Sequence, residues 1–386
     1  MDFRLGDKSD ALRGDVREFL DGFMTPEREE ALYRSGTSYD PEYTEAVVER
    51  GWLAAGWSEE EGGSGLSPLE MVTLHEELTR AEAPTYGPGV TMNIARVVAR
   101  VGTPEQRADI VPKAMNGEII MALGFTEPES GSDVAAARCR AVRDGEEWVI
   151  SGQKMFTTNA HIADYVFLLT RTNTEVPKHK GLTVFLVPVK QAGVEIQAVY
   201  TLSGERTNIV FFNDVRVSDT ARIGDVDKGW TVMTVALADE HSAAFGSRIG
   251  RMLDEAEAWA RQPSPETGER PIDAPDVRTR LARCAAAVEI SLLMQRRNAS
   301  LLQHGETPDI EGPMTKLFSS EALVRHAEDA VELMGPDGLR SYLDPTAPGG
   351  GRVEHYLRFS PGTTTYAGTS EIQRTIIAQR GLGLPR

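Results

Sequence analysis

With 386 residues, 40% of them hydrophobic and 26% charged, the chain is long enough for two or three domains around a sizeable core. A formal net charge of −17 excludes a broad nucleic-acid surface, which needs clustered Lys and Arg, and obliges any anionic ligand to be held locally. No apolar run approaches the ~18 residues that span a bilayer, so no membrane segment is expected. The charged, amphipathic start "MDFRLGDKSDALRGDVREFL" reads neither as a signal peptide nor as an anchor. Only Cys139 and Cys284 occur, far apart, which argues against a disulfide framework or a zinc site and fits a reducing cytoplasm.

In chain order, the first third reads helical. "SPLEMVTLHEELTRAEA" opens with Ser67 as N-cap, Pro68 at the first helical position and Glu70 completing a capping box. "TPEQRADIVPKAM" repeats the device with Thr103, Pro104 and Gln106. Near residue 118 the texture changes. "EWVISGQKMFTT", "ADYVFLLTRT", "GLTVFLVPV", "VEIQAVYT" and "NIVFFNDVRVS" are short β-rich runs separated by Gly, Asn and Asp turns, which predicts an antiparallel β-domain rather than βαβ units. From about residue 228 long helical periodicity returns and persists. The expected organisation is α+β: a helical segment over 1–117, a β-domain over 118–228 and a helical domain over 229–386.

No G-x-G-x-x-G stands between a strand and a helix, no H-E-x-x-H or paired Cys suggests a metal, and no G-x-S-x-G elbow is present. Three stretches are more specific. In "GFTEPESGSDVAA", residues 124–136, Gly131 and Ser132 can present backbone N–H groups to an oxygen-rich ligand, with the Thr126 and Ser132 hydroxyls as further donors. In "GQKMFTTNA", residues 152–160, Phe156 can stack on a flat ring and Thr158 can hydrogen-bond its edge. Read alone, both serve equally as ordinary β-turns with polar tips. The third, "TTTYAGTSEIQR", is a tight turn opening a short helix near the C-terminus.

Together these stretches resemble the acyl-CoA dehydrogenases. The first matches the signature Gly-hydrophobic-Ser/Thr-Glu-x-x-small-Gly-Ser/Thr-Asp without a break. The second is similar to the flavin strand Lys-x-Trp-Ile/Thr-Thr-Asn, with Phe156 for Trp. The resemblance covers essentially the whole chain. It implies a helical N-domain, a central antiparallel β-domain, a C-terminal four-helix bundle, and FAD as cofactor with no metal. By position, Phe125, Thr126, Gly131, Ser132, Phe156 and Thr158 would line the flavin, and Thr369 and Glu371 would approach it from the C-terminal turn. Ser132, His241, Tyr366 and Gly368 would meet the substrate. The implied reaction is α,β-dehydrogenation of an acyl-CoA thioester, with hydride leaving to flavin N5 and electrons passing on to an electron-transfer flavoprotein.

One departure concerns the base. Many members carry a glutamate between Tyr and Gly of the C-terminal turn; here the residue is Ala367, whose backbone N–H still serves as a donor to the enolate oxygen. Members such as the isovaleryl and long-chain enzymes carry the base on an earlier helix in a Glu-Arg pair and have a small residue at the turn. Glu240-His241 in "ALADEHSAAF" fits that place. Glu240 has Ala236, Leu237, Ala243 and Ala244 at i±3 and i±4, none able to form an ion pair. A buried carboxylate there would have a raised pKa, useful in a general base. The bland alternative is a glutamate on a solvated helix edge.

A second departure concerns assembly. The family's Arg-x-x-Phe-Gly, which reaches a neighbouring subunit's FAD, is absent from "RQPSPETGERPIDAPDVRTRLA". Its Gln-x-x-Gly-Gly-x-Gly element appears as "ELMGPDG", with Glu332 for Gln and Pro336 for Gly. This pattern resembles bacterial steroid-side-chain acyl-CoA dehydrogenases built as α2β2 assemblies of two different subunits. The alternative is a homo-oligomer in which Arg270 or Arg278 reaches the pyrophosphate instead. Two other readings stay open: a non-catalytic structural subunit, and an acyl-CoA oxidase or flavin monooxygenase of the same fold.

Overall fold

The computed structural model describes residues 5–240 and 244–385, with the backbone alone for 237–240. His241 lies outside the described residues, and of Glu240 only the backbone is described. The N-terminal helices are α1 (Asp7–Phe23), α2 (Pro26–Ser35), α3 (Pro41–Glu49), α4 (Pro68–Arg80), α5 (Tyr86–Val101) and α6 (Pro104–Met115). Strands follow: β1 (Met121–Gly124), β2 (Arg140–Asp144), β3 (Glu147–Lys154), β4 (Tyr165–Arg171), β5 (Leu182–Pro188), β6 (Val194–Tyr200), β7 (Arg206–Ser218) and β8 (Arg222–Ile223). The chain ends in α7 (Gly229–Glu240), α8 (Gly246–Ala260), α9 (Pro275–Gln303), α10 (Glu311–Met334), α11 (Arg352–Thr363) and α12 (Ser370–Ile376). Both capping boxes expected from sequence form, at Ser67/Glu70 before α4 and Thr103/Gln106 before α6.

The chain divides into two compact units. One comprises residues 31–65 and 84–239 and contains the sheet. Strand order is β6-β7-β3-β2-β4-β5-β8, with β1 paired to β4. Pairing is antiparallel except that β1 runs parallel to β4 along four residue pairs and β2 touches β4 in parallel at Arg140↔Arg171. The sequence reading missed β1 and β2 because strands of four and five residues are too short to show alternation. Alternate residues of β4 and β5 enter different cores: Phe167, Leu169, Val184 and Leu186 one, and Val166, Leu168, Phe185 and Val187 the other. That two-sided burial explains the unbroken apolar runs "YVFLL" and "LTVFLVP". Strand β7 bulges at Asn213–Asp214, two residues opposite Ser151 of β3 alone; beside it in β3, Gly152 has φ +147° and a Cβ there would stand 2.8 Å from the Cys139 backbone, so only glycine fits.

The other unit comprises residues 1–30, 66–83 and 240–386. Its core is drawn from α8, α9, α10 and α11 and includes Ile249, Met252, Leu281, Leu323, Ala327 and Tyr356. Ion pairs tie the N-terminal helices to this bundle. Glu76 of α4 takes Arg296 of α9 at 2.9 and 3.0 Å, and Glu77 takes Arg17 of α1 at 2.7 Å. Arg352 meets Glu29 and, at 3.3 Å, Glu255.

Both thiols are buried, and burial pushes Cys139 up to about 11 and Cys284 up to about 12. Thiolate is the reactive form. The native protein is therefore expected to react with a thiol reagent at neutral pH far more slowly than the unfolded chain, which should titrate both cysteines at once. Rapid labelling of either thiol before unfolding would contradict this burial.

Among the described residues, no helix is long and apolar enough to cross a membrane, and no cluster of His, Cys, Asp and Glu has the make-up of a metal site.

Candidate functional site

The loop after β1 is shaped by a buried ion pair. Glu127 is 4% exposed and Lys154, the last residue of β3, is fully buried. Lys154 Nζ donates to Glu127 Oε1 at 2.7 Å and to the Phe125 carbonyl at 3.0 Å. Glu127 also accepts the backbone N–H groups of Arg138 at 2.6 Å and Cys139 at 2.9 Å. One carboxylate thus closes the whole stretch 127–139 into a loop anchored on β3. Burial pulls the Lys154 ammonium below the usual lysine range, against the opposing pull of the Cys139 and Glu127 charges.

This closure leaves donors outward. Among the described residues, the N–H groups of Gly131, Ser132 and Asp133 donate to nothing, and neither do the N–H and hydroxyl of Thr126. Gly131 and Ser132 are exposed. A Cβ added at Gly131 would meet no atom within 4 Å, and its φ is not left-handed, so packing does not require glycine there. The Phe125 ring is buried beside Phe167, with centroids 6.0 Å apart, so its contribution to a site is through its backbone.

The second stretch is strained. Phe156 adopts φ +56° and the residue is 58% exposed. A bulky residue in the left-handed region costs roughly 1–3 kcal/mol and persists only where its surroundings enforce it. They do so on both sides. Met155 N–H donates to the Thr126 carbonyl at 2.8 Å, while Thr157 exchanges two bonds of 3.0 Å with Asn208. Thr158 Oγ1 lies 3.0 Å from Thr207 Oγ1 and keeps capacity for a further bond. Close by, the buried Ser130 and Thr157 hydroxyls and both amide atoms of Asn159 lack partners among the described residues. Orphaned buried polar atoms around an exposed, strained aromatic fit a polar-edged planar group such as a flavin.

The C-terminal turn, in the other unit, is built from the inside. Fully buried Lys316 donates to the Gly368 carbonyl at 2.7 Å, and fully buried Gln373 donates to the Ala367 carbonyl at 2.8 Å. With both carbonyls drawn inward, Ala367 and Gly368 take φ +53° and +79°. Their N–H groups have no acceptor among the described residues. Two consecutive left-handed residues with free N–H groups can serve an oxyanion. Tyr366 is 46% exposed, 6.3 Å from the Phe245 ring. The Thr369 hydroxyl oxygen caps α12 by accepting the Ile372 N–H at 3.2 Å, and Glu371 is exposed. Glu371's own backbone N–H, with help from Thr369, holds its carboxyl below the usual range. Glu240 is the last residue of α7.

Lys154, Glu127, Lys316 and Gln373 were not singled out from sequence. For Lys154 a signal existed: it shares strand parity with buried Trp148 and Ile150. For Lys316 none did, since a lysine on a long helix reads as solvated.

The segment expected to reach a neighbour's flavin is self-satisfied. Arg280 donates to Asp329 at 2.8 Å and to exposed Glu332 at 3.3 Å, and Trp259 Nε1 donates to Asp337 at 2.9 Å. Arg270 makes two bonds to Asp273, at 2.9 and 3.0 Å. Arg278 donates to the carbonyls of Asp273 at 2.6 Å and Ile272 at 3.2 Å.

Comparison with known proteins identifies the family. The N-terminal, middle and C-terminal domains of acyl-CoA dehydrogenase match residues 6–118, 122–217 and 227–382. A similar curated protein is acyl-CoA dehydrogenase FadE26 of Mycobacterium tuberculosis, 34% identical over 98% of each chain. Among solved structures, the Tcur3481-Tcur3483 steroid ACAD superposes with a TM-score of 0.93 at 32% identity, covering all of both chains. The ChsE4-ChsE5 complex from Mycobacterium tuberculosis gives 0.91 at 35%, again over all of both chains.

Proposed function

Because the chain belongs to the acyl-CoA dehydrogenase family, whose members are oxidoreductases acting on CH-CH and generally FAD-dependent, we propose that it is a catalytic subunit that dehydrogenates an acyl-CoA thioester with Glu240 as base. The observation that carries this is the Ala367 turn. It lacks a carboxylate but presents free N–H groups at 367 and 368, while a glutamate ends α7. In this reading the segments are 1–117, 118–228 and 229–386. FAD, when bound, supplies the hydride acceptor. Thr126, Gly131 and Ser132 hold it through N–H and hydroxyl donors, Phe125 through its backbone, and Phe156 and Thr158 at the ring. Thr369 and Glu371 approach from the start of α12. Glu240 removes the α-proton, and the Ala367 N–H stabilises the enolate oxygen. Ser132, Tyr366, Gly368 and His241 contact the substrate. Electrons leave to an electron-transfer flavoprotein, and the protein works in the cytoplasm.

The absorbance spectrum of the purified protein, alone and with candidate partner subunits, tests this reading against a non-catalytic one. A flavin band supports the enzyme; its absence from every assembly refutes it. Oxygen consumption by the reduced protein separates the oxidase and monooxygenase readings.

Thr158→Val should remove a bond at the flavin edge worth about 0.5–1.5 kcal/mol and shift the flavin spectrum or potential. Thr207→Val removes only the internal partner of Thr158 and should leave both unchanged. An unshifted Thr158→Val protein would place the ring elsewhere.

A further inference from the structure

Lys154 and Glu127 are buried, oppositely charged and used by none of the chemistry described above. A buried ion pair is weak evidence of stabilisation, because desolvation offsets the attraction. Its geometry here suggests another use. Lys154 Nζ holds the Phe125 carbonyl at 3.0 Å, and the next residue, Met155, holds the Thr126 carbonyl at 2.8 Å. Two consecutive residues of one stretch therefore grip two consecutive carbonyls of the other. Phe156, at φ +56°, follows immediately, and the Thr157–Asn208 bonds secure its far side. Glu127 meanwhile fixes the return of the loop through Arg138 and Cys139. This buried contact joins the segment carrying the Thr126 donors to the segment carrying the exposed Phe156, while Arg171, bonded to the Ala135 and Ala137 carbonyls, and Lys178, paired with Asp133, hold the far end of the loop.

We propose that the Lys154–Glu127 pair is a positioning device that sets the Thr126–Ser132 donors and the strained Phe156 ring in register for the flavin. This rests on the flavin reading above. The pair touches no reacting atom; it acts through the backbone at 125–127 and 154–156.

The test is FAD binding by the double variant Lys154→Met/Glu127→Gln. It removes both charges together and keeps one amide oxygen, which accepts one of the two backbone N–H groups, of Arg138 or Cys139, that the carboxylate takes with separate oxygens. The FAD-free variant should melt near the wild type. Its FAD affinity should fall at least ~10-fold, and the bands of whatever flavin it holds should shift, since a polar contact is worth about a decade in binding. Lys154→Arg is the second variant. It keeps the charge, but its planar fork does not place donors where the ammonium does. It too should fold with shifted flavin bands. Either variant folding with wild-type affinity and wild-type bands overturns the proposal. Failure of both to fold also overturns it, because the pair is then a stability element. A wild-type protein that never binds FAD removes the premise instead, which distinguishes failure of the functional reading from failure of this one.

Discussion

Glu240→Gln is expected to retain the fold and FAD and to lose nearly all α-proton abstraction. The amide is close in size to the carboxylate but cannot accept the proton. Removing a general base costs roughly 10²–10⁴-fold, so flavin bleaching by substrate should slow at least ~100-fold. The expectation rests on a complementary pair of residues. The C-terminal turn carries Ala367 where many relatives carry the base, and the end of α7 carries a glutamate. Ala367→Ser should be much milder, because residue 367 acts through its backbone N–H. Its φ of +53° is the constraint on what replaces it. Rapid-mixing absorbance measures both variants. Near-normal bleaching by Glu240→Gln would sink the assignment of the base.

The second large effect concerns assembly. Expressed alone, the chain should hold FAD poorly; with a partner that supplies the missing half-site, the complex should hold two FAD per four subunits. In a closed homotetramer every copy must lend its neighbour what it receives, and this chain has little to lend. The Arg-x-x-Phe-Gly element is absent, and the 332–338 element carries Glu332 and Asp337, whose charge opposes a pyrophosphate. The two arginines that offered an escape are engaged internally, Arg270 with Asp273 and Arg278 with two carbonyls. The assembly named ChsE4-ChsE5 is similar to this chain over its whole length, which makes a two-chain complex the natural trial. Native mass together with flavin-to-protein ratio decides the matter. A stable homotetramer of this chain alone with one FAD per chain would contradict it.

The motif stretches were legible because their chemistry is local. Gly131-Ser132 and Phe156-x-Thr158 announce donors and a ring by residue type, and both capping boxes announce helix starts within four residues. Tertiary contacts were not legible. The sequence does not reveal that Glu127 folds back onto β3, or that Lys316 reaches the Gly368 carbonyl from a helix more than fifty residues upstream. Thr369 shows a different limit. Its type suits both a ligand contact and an N-cap, and only the structure reveals the cap. The parallel pairing of β1 with β4 escaped for want of length in β1. The acyl group is the least legible feature, since apolar side chains lining a ligand and those lining a core obey the same pattern.

The most direct test is anaerobic titration of the flavin-loaded protein, in its complete assembly, with a panel of acyl-CoA thioesters running from short fatty acyl groups to steroid side chains. At least one thioester should bleach the flavin band, and its free acid should not. A protein that holds FAD yet is bleached by no acyl-CoA, while a chemical reductant bleaches it normally, would contradict acyl-CoA dehydrogenation by this chain.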